Sequence, residues 1–480
     1  MIKIKNGPVQ CTLSSDDVDE AVEVSALLDH QYRVFNPAAP FTPSYVNGEW
    51  DGYTHHFRPK TKTFDTGLLS LFYKFLVKHG YEVELEGFYE FDKHEFTEIN
   101  FEGGVSLRPY QLEAVRKAVN FHRGVIRIAT NGGKTEVAAG IIQILKVPKT
   151  IVLVPRKELM FQTQKRLQER LGISVGVLGA NQTDTDHNVV VCMFQTLHRR
   201  LQGKVFKRWI NQIELVIGDE CHFSQASTYE KCITKIPSKY KIGMSGTPWP
   251  TSDRSAKLTV TGLFGPLLVD VTNKELMDSG VSVRPNIFMP VLRTRTVVAS
   301  FYDYAYEQAV LKNPVRNRVI AGIAQGLVKS GRQTLIMVNT VEQGKILKRV
   351  MPWATFAHAS SENRAEVRDR LDSGEPFCLI VTPIFDTGIS TDHIEGMIFA
   401  SGGRSQVQLL QRIGRGIRVS KEKDKSLWIF DFQDNHSKWT KSQSRDRLKE
   451  YKAQNAFNLV EAYIELPPEI QEFVDANDFR

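Results

Sequence analysis

The stretch Ala129-Thr-Asn-Gly-Gly-Lys-Thr135 follows an apolar run, Gly124-Val-Ile-Arg-Ile128, and leads into Glu136-Val-Ala-Ala-Gly-Ile-Ile-Gln-Ile-Leu145. The first run has the composition of a strand and the last that of a helix. A strand, a glycine-rich turn and a helix in that order aim backbone N–H groups and a helix N-terminus at a phosphate chain. Lys134 would then reach the terminal phosphates and the Thr135 hydroxyl would hold Mg²⁺. The strict form of the pattern needs a glycine where Ile128 stands. A Gly-Gly-Lys-Thr turn also fits a plain surface loop, so the reading needs partners elsewhere in the chain.

The first partner is Leu215-Val-Ile-Gly-Asp219-Glu220-Cys221-His222, an apolar strand ending in two adjacent carboxylates. Ligands bind at the carboxyl edge of a parallel sheet. There Asp219 would organise Mg²⁺ on the phosphates, and Glu220 would orient and activate the attacking water. Thr150–Val154, Val189–Met193 and Leu215–Gly218 read as strands with helices between them, the mark of a parallel sheet. The pattern loosens after Lys241-Ile-Gly-Met-Ser-Gly246 and resumes with Thr334–Val338, Cys378–Val381 and Met397–Ala400. Two α/β domains follow, 103–275 and 295–450, with 276–294 as a linker. Further on, Gln411, Arg415 and Arg418 are spaced i, i+4 and i+7, one face of a helix. Guanidinium groups on such a face can neutralise charge developing on a γ-phosphate.

Composition bounds the rest. At 480 residues the chain has length for about three domains, and 41% hydrophobic with 24% charged residues is ordinary for a globular protein. No apolar stretch approaches the roughly 20 residues of a membrane span, and Met-Ile-Lys-Ile-Lys-Asn carries no signal core. The five cysteines are scattered and lack metal-ligand spacing, which favours a reducing compartment over disulfides or structural zinc. The expected location is the cytoplasm, that of the host if the chain is phage-encoded. The net charge of +8 is uneven: residues 1–100 hold 9 Lys and Arg against 16 Asp and Glu, and the other 380 hold 53 against 38. A basic body suits a polyanion such as nucleic acid.

Residues 1–102 read as a small α+β module. Asp16 to Leu28 is a helix candidate with Ser15 as cap. Gly67 to His79 is an apolar helix candidate, and Tyr81-Glu-Val-Glu-Leu-Glu86 alternates like a half-exposed strand. Within this acidic module only Tyr53–Lys62 is both basic and aromatic. Arg58, Lys60 and Lys62, with His55, His56 and Phe57, could touch phosphate and stack on an unpaired base; alternatively the segment is a hairpin whose rings pack on Phe72 and Phe75. The His55-His56 pair lacks a third ligand for a metal site. Between Arg412 and Lys449 stand eleven basic and five acidic residues, with Lys438–Lys449 a candidate for backbone contact. Residues 451–480 end the chain as an acidic docking segment, expected to be helical.

Taken together, these segments resemble superfamily 2 helicases and translocases over about 107–418. Leu107-Arg108-Pro-Tyr110-Gln111 resembles the upstream segment of that family, which implies that Gln111 reads adenine, that Tyr110 could stack on it and that Arg108 belongs to the nucleotide site. The loop residues Asn131, Gly132, Gly133, Lys134 and Thr135 would bind nucleotide, although Asn131 stands where the family carries a small residue or glycine. Pro155-Arg156 and Gln195-Thr196 resemble strand-tracking motifs, and the resemblance adds Asn339, Thr382 and Thr387 as nucleic-acid contacts. Ser245-Gly-Thr247-Pro resembles the motif that couples the nucleotide and DNA sites. Asp386-Thr-Gly388-Ile-Ser390 and Asp392 resemble the fifth motif, which places Gly388 and Asp392 at the nucleotide. Gln408–Arg418 resembles the sixth, which implies Gln411, Arg415 and Arg418 on the far wall of an ATP site between two RecA-like domains.

Tyr32-Arg-Val-Phe-Asn-Pro37, Asn47-Gly-Glu-Trp-Asp-Gly52 and Phe64-Asp-Thr-Gly-Leu68 resemble the N-terminal domain of UvsW-like bacteriophage helicases. The resemblance implies an ATP- and Mg²⁺-dependent DNA helicase moving 3′ to 5′. It would act as a monomer on single-stranded, forked and four-way DNA, branch-migrating junctions in recombination, replication and repair. An RNA helicase and the translocase subunit of a restriction system remain the alternatives. The expected fold is α/β, two RecA-like parallel-sheet domains in tandem behind a small N-terminal α+β DNA-binding domain.

Overall fold

Runs of Val, Ile and Leu too apolar for a half-exposed strand belong in a parallel sheet covered by helices on both faces, and they form two such sheets here. The computed structural model describes residues 1–87, 92–129, 132–225, 227–250, 253–281, 284–291, 296–358, 360–361, 364–382, 393–403, 426–453 and 457–460. One unit takes in Met1–Ala129 and Gly133–Val271, the other Thr130–Gly132 and the chain from Thr272 onward.

The sheet of the first unit runs Gln182–Asp184, Gly176–Gly179, Val189–Met193, Thr150–Val154, Leu215–Asp219, Tyr240–Ser245, Arg123–Ile128, Leu267–Val271. Every neighbouring pair is parallel except the first. Thr150–Val154 and Val189–Met193 have the predicted bounds. Gly218 and Gly243 lie opposite each other on adjacent strands. Both face one ring: a Cβ on Gly218 would come 2.6 Å from Phe264 Cζ, and one on Gly243 2.9 Å from Phe264 Cδ2. The helix Arg254–Phe264 can therefore seat directly on the strands that end in Asp219 and Ser245.

The second sheet runs Thr355–Ala357, Cys378–Val381, Gln333–Met337, Ile394–Phe399, Trp428–Phe430, Asn286–Phe288, Asn458–Val460, all parallel. Alternation along its strands feeds two cores. Ile336 and Val338 pack with Ile320 and Ile323 of helix Pro314–Lys329 and Leu347 of helix Val341–Val350. Leu335 and Met337 pack on the other face with Val367, Leu371 and Tyr451. The strand Asn286–Phe288 corrects the expected linker, since Met277, Ile287 and Met289 are core residues of the second unit. Three strand residues between Pro285 and Pro290 leave no periodicity to read. Asn458–Val460, expected in the docking segment, is a strand at the edge of this sheet; 461–480 lie outside the described residues.

Buried ion pairs tie this unit together. Arg316 is fully buried, with Nε 2.8 Å from Asp434 and Nη1 donating to the Ala400 carbonyl at 2.6 Å. Arg447 pairs with Asp431 at 2.7 Å. Removing one partner of such a pair costs about 3–5 kcal/mol, because the other is left charged and buried. Arg447 is thus structural, a correction within the Lys438–Lys449 stretch; Lys438, Lys441, Arg445 and Lys449 are exposed on helix Lys438–Ala453.

The N-terminal module is a five-stranded sheet, ordered Phe57–Arg58, Thr63–Asp65, Gln10–Ser15, Ile2–Lys5, Val83–Glu86, with helices Val18–Tyr32 and Leu69–Lys78. Asp17, not Ser15, caps the first helix, accepting from the Asp19 and Glu20 N–H groups. Leu258 of helix Arg254–Phe264 joins the module's core beside Phe57, Phe64 and Phe72. At the same seam a Cβ on Gly67 would meet the Thr261 carbonyl oxygen at 2.0 Å, so only glycine fits. Arg254 donates to the Gln31 carbonyl at 2.6 Å, and Arg123 donates to the Pro8 carbonyl and, at 2.9 Å, to that of Ser238.

The expected boundary at 102 falls inside a segment stitched to the α/β domain. Arg116 donates to the Phe96 carbonyl at 3.1 Å, Gln143 to that of Asn100 at 3.1 Å, and the Glu102 N–H to that of Arg170 at 3.1 Å. Ile99 and Phe101 are buried.

Candidate nucleotide site and nucleic-acid track

Gly133 takes φ +76°, a left-handed conformation that glycine adopts without penalty, and caps helix Lys134–Leu145. A side chain there would also place its Cβ 2.2 Å from the Gln111 amide nitrogen. Gln111 is buried, and its Oε1 accepts from the Arg108 N–H at 2.9 Å. The predicted adenine reader therefore lies against the phosphate loop. Tyr110 is half-buried beside it, and Arg108 is exposed, with Nη1 3.4 Å from the Tyr110 hydroxyl. Thr135 follows Lys134 in the first turn of the helix, half-buried.

The strand Leu215–Asp219 delivers the carboxylates. Glu220 has φ +50°, uncommon for a residue with a Cβ. That turn brings Glu220 Oε1 to 3.8 Å from Lys134 Nζ, and Asp219 Oδ1 accepts from the Glu220 N–H at 2.9 Å. Burial and the adjacent Glu220 charge push the Asp219 carboxyl up to about 6, against the pull of Lys134. Burial acts on Glu220 in the same direction, but Lys134 and His222, with the Ser245 hydroxyl, outweigh it and hold Glu220 at about 2. Burial alone would lower the Lys134 pKa; the two carboxylates outweigh it and raise it. Two carboxylates around one ammonium leave an excess of negative charge. With a nearby hydroxyl, such an oxygen donor set fits a hard divalent cation, so Asp219 and Thr135 are suited to Mg²⁺.

Glu220 is joined directly to the predicted coupling motif. Ser245 Oγ donates to Glu220 Oε2 at 3.3 Å and accepts from the Thr247 N–H at 3.1 Å. His222 Nδ1 lies 3.0 Å from Ser245 Oγ and 3.3 Å from Glu220 Oε2. No role for His222 follows from the sequence alone. Its position two residues after Glu220 was the available signal.

Pro155-Arg156 and Gln195-Thr196 follow the carboxyl ends of two adjacent parallel strands, and Gln195 Nε2 donates to the Pro155 carbonyl at 3.0 Å. Pro155 is buried, Arg156 and Gln195 are exposed, and Thr196 is half-buried. In the second unit Asn339 and Thr382 likewise follow adjacent strands, Gln333–Met337 and Cys378–Val381; Thr382 is buried. Asn131, Thr387, Gly388, Asp392, Gln411, Arg415 and Arg418 lie outside the described residues.

The N-terminal patch differs from the stacking surface considered from sequence. Phe57 is fully buried, 6.2 Å from the Phe64 ring and 6.3 Å from that of Phe72. His56 is buried, its pKa pushed down to about 4 by burial. His55 bridges Asp29 at 2.6 Å and Asp51 at 2.8 Å, and Arg58 pairs with Asp65 at 2.9 Å. The alternating pattern placed every second ring inward, against Phe72, so no base can stack on Phe57. Lys60 is exposed and Lys62 half-buried.

The chain is similar to known proteins in sequence and fold. The family "Type III restriction enzyme, res subunit" matches residues 104–249, and "Helicase conserved C-terminal domain" matches 317–420. The ATP-dependent DNA helicase uvsW of Enterobacteria phage T4 is 23% identical over 449 residues, 86% of each chain. The DNA 3'-5' translocase XPB2 of Sulfurisphaera tokodaii is 24% identical, over 68% of this chain and 81% of its own. Among solved structures, the Type ISP restriction-modification enzyme LlaBIII bound to DNA matches with a TM-score of 0.54 at 17% identity, over 72% of this chain and 30% of its own. S. cerevisiae Dbp5 bound to RNA and ADP BeF3 matches with a TM-score of 0.52 at 15% identity, over 77% and 93%. The two family matches cover just over half the chain, and they fall in order on the two parallel sheets that bear the motifs. The chain belongs to the superfamily 2 helicases, with two RecA-like domains forming a nucleic-acid-dependent ATPase.

Proposed function

We propose that this ATPase is a DNA helicase that moves 3′ to 5′ and remodels branched DNA, unwinding forks and branch-migrating four-way junctions. The observation that carries the proposal is the N-terminal module seated on helix Arg254–Phe264, the helix that follows Ser245-Gly-Thr247. A motor tracking one strand needs a separate element to meet the arms of a junction, and this module is attached directly behind the coupling motif. The similarity to the phage helicase spans 86% of both chains, which agrees with a shared module as well as a shared motor. The Sulfurisphaera relative is a DNA 3'-5' translocase, which supports the 3′-to-5′ direction.

In the nucleotide site, Gln111 and Tyr110 hold adenine, and the loop 131–135 holds the phosphates. Asp219 and Thr135 would hold Mg²⁺, which would supply charge neutralisation to the phosphate oxygens. Glu220, kept ionised by Lys134, accepts the proton of the attacking water. Ser245 reports the state of Glu220 to Thr247 and onward to helix Arg254–Phe264. From the family resemblance, Gly388, Asp392, Gln411, Arg415 and Arg418 are the nucleotide contacts that the second domain would supply. Arg156, Gln195, Thr196, Asn339, Thr382 and Thr387 track one strand, and Lys60 and Lys62 touch the junction. The protein works as a monomer in the cytoplasm, that of the host if the chain is phage-encoded. Matched DNA and RNA forks, offered with ATP and Mg²⁺, test the substrate: DNA forks should open and RNA forks should not. Preferential opening of RNA forks would replace the proposal with an RNA helicase.

A further inference from the structure

Beside Asn339 the second unit carries an open groove that none of the family motifs occupies. Its volume is 740 Å³, and it lies between the start of helix Pro314–Lys329 and the outer face of helix Val341–Val350. Among the described residues four cations line it, Lys312, Arg318, Lys345 and Arg349, against a single carboxylate, Glu342. Lys345 and Arg349 stand one turn apart on the exposed face. Among the described residues neither forms an ion pair, whereas Lys312 is paired with Glu307. The groove begins at Val341, two residues past Asn339, which follows the carboxyl end of the sheet.

We infer that this groove binds the phosphate backbone of a duplex DNA arm, as a second nucleic-acid surface apart from the strand track. Charge and length argue for that occupant. The ten-residue helix spans about 15 Å, along which one strand of a duplex presents about four phosphates. The apolar lining is aliphatic: Pro314, Val341, Ile346 and Val350. With no aromatic ring among the described lining residues, the groove offers no platform there for unpaired bases, so it grips a backbone rather than a splayed strand. Lysine and arginine at such a surface bind phosphate without reading sequence, as a motor acting on arbitrary arms requires. The inference rests on the DNA-motor reading, and it assigns the groove to the arm the motor is not tracking.

The test uses full-length protein carrying Lys345→Ala with Arg349→Ala. Binding of a blunt duplex and of single-stranded DNA is titrated at several salt concentrations. The slope of log affinity against log salt for duplex should fall by about 1.8, from about 0.9 per lost contact. Between 50 and 200 mM salt, wild type should then lose about twelvefold more duplex affinity than the variant. Single-strand affinity should change little. Glu342→Gln, which removes the one carboxylate of the lining, should tighten duplex binding, a gain that misfolding cannot mimic. Lys329→Ala, at the far end of its helix, is the control and should leave the slope intact. An unchanged duplex slope in the double variant overturns the inference alone. So does capture of a Glu-rich peptide by the wild-type groove with duplex binding unaffected, which would make it a protein-docking surface. A wild-type protein that binds neither duplex nor forked DNA overturns the inference and the proposed function together.

Discussion

Two truncations separate the N-terminal module from the motor, and they should differ sharply although only ten residues lie between them. Deletion of 1–92 leaves 93–102 in place, with Ile99 and Phe101 buried and the Phe96, Asn100 and Glu102 backbone bonds intact. Its main cost is the uncovering of Leu258, which the module's core holds at 6% exposure, about 1.5–3 kcal/mol for a fully buried leucine. Deletion of 1–102 adds the loss of Ile99 and Phe101, about 3–6 kcal/mol by the same measure. It also removes at least the three hydrogen bonds made at Phe96, Asn100 and Glu102, worth about 1 kcal/mol each. The second deletion thus spends a large part of the roughly 5–15 kcal/mol that stabilises a domain. At roughly 2–4 °C per kcal/mol for a domain of this size, the two proteins should melt at least on the order of 10 °C apart, the shorter one lower. Thermal melting by circular dichroism, on both proteins in one buffer, measures this. Equal melting temperatures would refute the packing argument and restore the boundary at 102. The stable truncation should keep part of its ATPase stimulated by single-stranded DNA and lose most junction remodelling.

Other expectations concern the site. Lys134→Ala should abolish ATP turnover, whereas Glu220→Gln should bind ATP and DNA but not hydrolyse, as nucleotide binding and single-turnover assays would show. Ser245→Ala removes the bond between Glu220 and the coupling motif, so unwinding should fall several-fold more than ATPase; parallel losses would deny Ser245 a coupling role. Asp219 must be ionised to hold Mg²⁺, and its carboxyl is raised to about 6 in the free protein. Mg²⁺-dependent nucleotide affinity should therefore be level above about pH 6 and fall up to tenfold per unit below it, as titrations across pH would show. Asp219→Asn should flatten that limb.

Much of the motor was legible because its determinants are local. Thr150–Val154 and Val189–Met193 announce themselves by continuous apolar runs, and Gly133-Lys134 and Asp219-Glu220 by strand-end chemistry. What escaped was set by contacts distant in sequence. Asn286–Phe288 is a strand only because Trp428–Phe430 and Asn458–Val460 flank it. Ile99 and Phe101 read as the end of the N-terminal module because helix Lys134–Leu145, whose Gln143 donates to the Asn100 carbonyl, comes later in the chain. Arg447 looked like a surface cation among others, and only the fold places Asp431 beneath it. Arg58 looked like a phosphate contact, but its strand partner carries Asp65 into reach.

The central claim is that ATP hydrolysis at Lys134, Asp219 and Glu220 drives the movement of a DNA junction. The most direct measurement is conversion of a mobile four-way junction of labelled DNA into forks, with ATP and Mg²⁺, by wild type and by Glu220→Gln. Wild type should convert the junction in step with ATP consumed, and Glu220→Gln should bind it and leave it whole. DNA-stimulated ATP hydrolysis by wild type with the junction left intact would contradict the account.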